Sequence, residues 1–159
     1  MCGKSNIMKV LLVLFVSFLL SLLGYKSVTG SWNMLMSGNI SLCIMMCFAA
    51  SGHFAFTKGM EMMIPKFIPF KKAIVLGTGV MEVIAGLGLL FDQTRSAAAL
   101  FLIAFFVLIL PANIYAALHH IDLQKGDFNG PGTRYLWFRI PMQLLLIGWA
   151  WYFGIRLAA

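Results

Sequence analysis

The chain has 159 residues, of which 61% are hydrophobic and 11% charged, and its mean hydropathy is +0.91. Soluble domains carry roughly 45–50% apolar and about 25% charged residues, and one this small has too little interior to hide the excess. The surplus must face lipid, which excludes a disordered chain, a nucleic-acid-binding domain and an ordinary soluble enzyme.

Five apolar runs approach the roughly 20 residues that a helix needs to cross a bilayer. They cover residues 7–23, 40–56, 73–91, 96–118 and 135–153. Backbone polar groups cannot stay unpaired in lipid, so runs of this length are read as helices, and no alternating strand pattern competes. The first run, with its basic start at Lys4 and Lys9 followed by an apolar core, also has the outline of a secretory signal peptide. No A-x-A-like cleavage site occurs between Ser21 and Lys26, so a retained span is expected. Cys2, Cys43 and Cys47 form no disulfide framework, and Cys43 and Cys47, one helical turn apart, read as small hydrophobes.

The net charge of +7 fits residues that orient a membrane protein. With the N-terminus inside, Lys4, Lys9, Lys58, Lys66, Lys71, Lys72, Lys125 and Arg134 face inward, against Lys26, Arg95 and Arg156 outside. This predicts a multi-pass cell-membrane protein with its C-terminus outside. The loop 57–72 mixes Met60, Met62, Met63, Phe67 and Phe70 with lysines, and Pro65 and Pro69 break any long helix. It is expected to lie in the membrane interface. The 118–134 loop, rich in Gly and Asp, reads as solvent-exposed. Trp137, Trp149, Trp151 and Tyr152 read as aromatics at the two membrane surfaces.

Polar residues inside the spans carry the most information. An ionisable group at the bilayer centre costs about 2.5–3.5 kcal/mol on insertion scales. Glu82 sits mid-span, with Thr78, Gly79, Ala85 and Gly86 as helical neighbours. Small faces are where membrane helices approach each other, so Glu82 should point into the bundle. His53 lies beside Ala49 and Ala50. Asn113 follows Pro111 and shares a face with Ala116 and Ala117. Arg139 and Gln143 are one turn apart, with Pro141 between them. These five define an expected buried polar pocket, with Glu82 within reach of Arg139. It reads equally as a hydrogen-bond network holding helices in register or as a site that binds a headgroup or handles protons.

Other motifs are weaker. His119, His120 and Asp122 supply at most two ligands from one turn, so no metal site is expected. Gly77-Thr-Gly79 and Gly86-Leu-Gly88 lie within a span and read as packing glycines, since a phosphate-binding loop would follow a strand.

Five stretches together resemble the DoxX-like family of small membrane proteins. They are Ala50-Ser-Gly-His-Phe54, Ile64-Pro-Lys-Phe-Ile-Pro69, Gly79-Val-Met-Glu82 followed by Gly86-Leu-Gly-Leu-Leu90, Leu110-Pro-Ala-Asn-Ile114 and Arg139-Ile-Pro-Met-Gln143. The resemblance covers residues from about 49 to 153. It implies an all-α, polytopic four-helix membrane bundle, to which the N-terminal run adds an extra helix. Relatives include subunits linked to thiosulfate–quinone oxidoreduction, a protein needed to mature a periplasmic amine dehydrogenase, and members that assist receptor assembly. The family offers no agreed catalytic residues to carry over.

Three functions follow as expectations. The first is an accessory subunit of a membrane redox system, with no cofactor of its own, a quinone or lipid in the polar pocket, and electrons from a partner protein. The second is a non-enzymatic assembly protein whose polar network is structural. Transport of a small acid or lipid, with a homo-oligomer supplying the room for a path, ranks third because no inverted repeat is visible.

Overall fold

A computed structural model describes residues 2–65 and 67–158, with the side chains of residues 2–7 set aside. The expectations placed on Lys66 and on the side chains of Cys2 and Lys4 lie outside the described residues. Helix accounts for 80% of the structure, with no strand among the described residues. Among the described residues the α-helices are α1 (Cys2–Thr29), α2 (Met34–Ala55), α3 (Thr57–Met62), α4 (Lys71–Gly88), α5 (Asp92–Leu118) and α6 (Leu136–Trp151). A 3-10 turn, Gly132–Tyr135, leads into α6, and a π turn, Tyr152–Arg156, follows it.

Three of these are long and apolar enough to cross a membrane: Met8–Thr29 in α1, Met34–Ala55 and Asp92–Leu118. By contrast, α4 carries Lys71, Lys72 and Glu82 in 18 residues, and α6 is 16 residues long. The apolar run from residue 40 understates α2, which begins six residues earlier. There the Asn33 side chain caps it by accepting from the Met36 N–H at 3.0 Å. The polar residues of this stretch are accommodated inside the helix. Ser37 and Ser41 bond back to the carbonyls of Asn33 and Gly38, and Asn39 donates to Leu35.

The core runs between α2, α4, α5 and α6, around fully buried Leu42, Met45, Leu89, Ala99, Leu102 and Ala150. Half of the α2 span is buried against only 11% of the α1 span, so α2 is central and α1 lies on the outside. The inner face of α1 docks through Leu14 and through Phe15 and Phe18, which meet the Trp149 ring edge-on at 5.7 and 5.2 Å. Trp149 therefore departs from the expected surface role. Its indole N–H donates to the Gly38 carbonyl at 3.0 Å and its ring packs on Phe153. Trp137 and Trp151 do face outward.

Arg95 also departs from a simple outer charge. It is buried, and its Nε donates to the Leu89 carbonyl at 3.1 Å, covering the end of α4, while Asp92 pairs with it at 2.6 Å.

The 57–72 segment contains the short helix α3, which ends before Pro65. Met63 is buried with Ala116 and Ile121, so part of the methionine cluster is a small core of its own, while Phe67 and Phe70 are exposed. The 118–134 loop is more folded than its composition implied. Asp122 and Asp127 bridge it, Asp122 Oδ1 accepts from the N–H groups of Gln124 and Lys125, and Ile121 is buried. Gly59 of α3 lies against the Leu123 carbonyl, where any side chain would collide with the backbone.

Close approach at the far end of the bundle is a testable constraint. A Cβ on Gly38 would land in the Phe153 ring, whereas one on Gly148 would meet nothing within 4 Å. Gly38→Ala should cost about 1–3 kcal/mol through overpacking. Gly148→Ala should leave thermal unfolding in detergent unchanged or raise its midpoint slightly.

Candidate functional site

Helix α4 meets α2 along a strip of small residues. Gly79 and Gly86 allow the approach: a Cβ on Gly79 would lie 2.8 Å from the His53 Cβ, and one on Gly86 3.2 Å from that of Met46. Gly77 behaves differently from the packing role expected of it, since its Cβ position is open. The reason is angular: Gly79, Glu82 and Gly86 share the buried face, and Gly77 points the other way.

On that strip Glu82 and His53 are both buried, with Glu82 Oε1 3.4 Å from His53 Nε2. Side chains on a helix lean toward its N-terminus, which carries the Glu82 carboxyl back toward the end of α2 where His53 sits. The other ring nitrogen, Nδ1, lies 2.8 Å from the Val75 carbonyl and 3.2 Å from the Thr78 hydroxyl. A carbonyl oxygen can only accept, so Nδ1 carries hydrogen. With Nδ1 protonated, Nε2 faces the Glu82 carboxyl oxygen.

Beyond Glu82 lies a cavity of about 70 Å³, room for several waters or the polar end of a larger molecule. Glu82, Asn113, Arg139 and Gln143 all line it, and His53 borders it through Glu82. Its apolar wall comes from α2, α5, α6 and Val10 of α1. The five residues thus converge from α2, α4, α5 and α6.

Their bonding is incomplete. Gln143 donates through Nε2 to the Phe106 carbonyl. Pro111, in the next turn, removes the N–H that the Val107 carbonyl would otherwise meet. Its Oε1 has no partner, nor do Glu82 Oε2 or either polar atom of the fully buried Asn113. Buried polar atoms are nearly always satisfied, and each orphan costs about 1–3 kcal/mol. Arg139 does not make the ion pair with Glu82 that the spacing allowed. Its guanidinium lies over the Tyr135 ring at 5.8 Å and borders the cavity. The site therefore offers a guanidinium and an amide N–H as donors, and amide and carboxyl oxygens as acceptors.

Two residues escaped the sequence reading. Asn39 is buried, its Oδ1 unpaired and its Nδ2 donating to the Phe153 carbonyl at 3.0 Å. Its signal is an amide one residue before the apolar run that begins at residue 40. The Tyr135 hydroxyl is also buried without a partner. Among the described residues, no three His, Cys, Asp or Glu side chains cluster closely enough to hold a metal ion. Cys43 and Cys47 are free thiols.

Asn113→Leu should leave thermal stability unchanged or raise it, because it replaces an amide with two unpaired atoms by an apolar group of similar size. Glu82→Ala should lower it by about 1–3 kcal/mol, because it leaves the buried His53 Nε2 without its partner. Thermal unfolding of the two variants in one detergent checks both signs.

A family model described as "Domain of unknown function (DUF8561)" matches residues 42–154, a range that holds all five site residues and omits α1. No curated protein and no solved structure is significantly similar to the chain. With the greater part of its length matched, the chain belongs to the DUF8561 family.

Proposed function

We propose that this is an integral membrane protein whose central cavity binds the head of a membrane-soluble carbonyl compound, and that the compound is a quinone. The observation that carries the reading is the set of four orphaned polar atoms, on Glu82, Asn113 and Gln143, around one cavity that Arg139 also borders. A purely structural network would satisfy its own members, because a half-satisfied one is worse than an apolar core. Arg139 and the Asn113 amide suit the oxygens of an oxidised ring. Glu82 and Gln143 suit the hydroxyls of a reduced one. The apolar wall matches a hydrocarbon ring and tail.

In this reading all five long helices cross the membrane, as a four-helix unit of DoxX-like type with α1 added, the N-terminus inside and the C-terminus outside. The π turn extends α6 to Arg156, which helps it reach across. The protein acts as an accessory subunit, and a partner redox protein supplies the electrons. The DoxX-like resemblance supports this association because its motifs contribute the cavity residues. A second reading, a non-enzymatic assembly protein, draws on the other half of the site: the His53–Glu82–Val75 contacts clamp α2 to α4 with no ligand.

Native mass spectrometry of Glu82→Gln and Arg139→Gln separates the two. The quinone reading expects a bound quinone in the parent protein, lost at least tenfold in folded variants. A parent protein that carries no quinone, and whose tryptophan fluorescence is indifferent to added quinone, would overturn it in favour of assembly.

A further inference from the structure

A second, larger hollow of about 610 Å³ lies apart from the central cavity, between α3, the start of α4 and the end of α5. Lys58 and Lys71 reach it, with Glu61, Tyr115 and His119. The Lys71 ammonium is anchored by donating to the Ile64 carbonyl at 2.7 Å and keeps two further N–H groups. His119 stacks on Tyr115 with ring centroids 3.9 Å apart, and its Nδ1 is 2.9 Å from the Tyr115 carbonyl, which leaves Nε2 to face outward as a polar contact. The floor is apolar, formed by Met62, Ile121 and Phe128.

We propose that this groove binds the phosphodiester headgroup of a membrane phospholipid. Its depth fits: α2 ends at Ala55 and α5 at Leu118, and both are long and apolar enough to cross a bilayer, so the groove sits where headgroups lie. Exposed Phe67 and Phe70 project from the same segment, as aromatics do at a membrane interface. Its charge fits as well. Two ammonium groups against one carboxylate leave a single positive charge, which matches a phosphodiester better than a doubly charged phosphate monoester. The apolar floor takes the glycerol end and the first methylenes of the chains.

The test uses the full chain in lipid nanodiscs, released in native mass spectrometry, with Lys58→Gln as the main variant because Lys58 is exposed and holds no structural bond. Lys72→Gln, exposed and outside the groove, is the control. The parent protein should retain one phospholipid. Lys58→Gln should lower that occupancy at least fivefold with an unchanged melting temperature. Lys72→Gln and the cavity variant Asn113→Leu should retain it, the latter separating this site from the central one. Absence of retained phospholipid in the parent protein, or equal loss in Lys58→Gln and Lys72→Gln, would overturn the proposal. So would displacement of the lipid by millimolar glycerol 3-phosphate, which would assign the groove to a soluble phosphate ester.

Discussion

A carboxyl group placed among apolar helices has to be answered by something, and Glu82 is answered on one side only. His53 meets Oε1, while Oε2 faces the cavity without a partner. The first contact fixes the relation of α4 to α2. It needs the small surface of Gly79, because the His53 side chain occupies the space a larger residue would fill. Once the two helices are that close, Gly86 must also be small to clear Met46, and the helix face is determined along several turns. The second oxygen then decides what α5 and α6 present: Asn113, Gln143 and Arg139, each bringing polar atoms to the same space.

The site divides accordingly into a finished half and an unfinished half. The finished half, from Val75 through His53 to Glu82, has the geometry of a clamp. The unfinished half has donors and acceptors but too few mutual contacts, and it is where a ligand's polar atoms would be matched. The Phe106 carbonyl of α5 holds Gln143 in place at the edge of the unfinished half.

Much of this was legible from residue spacing. The face of Glu82 could be read from Gly79, Ala85 and Gly86, because a helix of fixed period leaves little choice about which residues are neighbours. The all-helical class followed from hydropathy alone. What stayed hidden depended on distant partners. Trp149 looked like a surface aromatic, and only the proximity of Gly38, Phe15 and Phe18 half-buries it. The early start of α2 turned on the capping bond of Asn33, and the burial of Arg95 on the exposed end of α4 it covers. Arg139 kept the reach to meet Glu82, yet the Tyr135 ring claims its guanidinium.

The π turn after α6 changes the meaning of one backbone atom. The Leu157 N–H bonds to the Tyr152 carbonyl at 2.9 Å, one residue further back than in an α-helix. In a regular ladder that N–H would occupy the Phe153 carbonyl. Released from it, the Phe153 oxygen accepts from Asn39 instead and joins the two central helices across 114 positions of sequence. The tie thus depends on chain length more than on side-chain identity. Substitutions along 152–156 would leave it standing only where the new atoms find space, which they do not at Gly154, where a Cβ would meet Ala99. Loss of a single residue there would restore the ordinary ladder, reclaim the oxygen and disconnect α2 from the end of the chain.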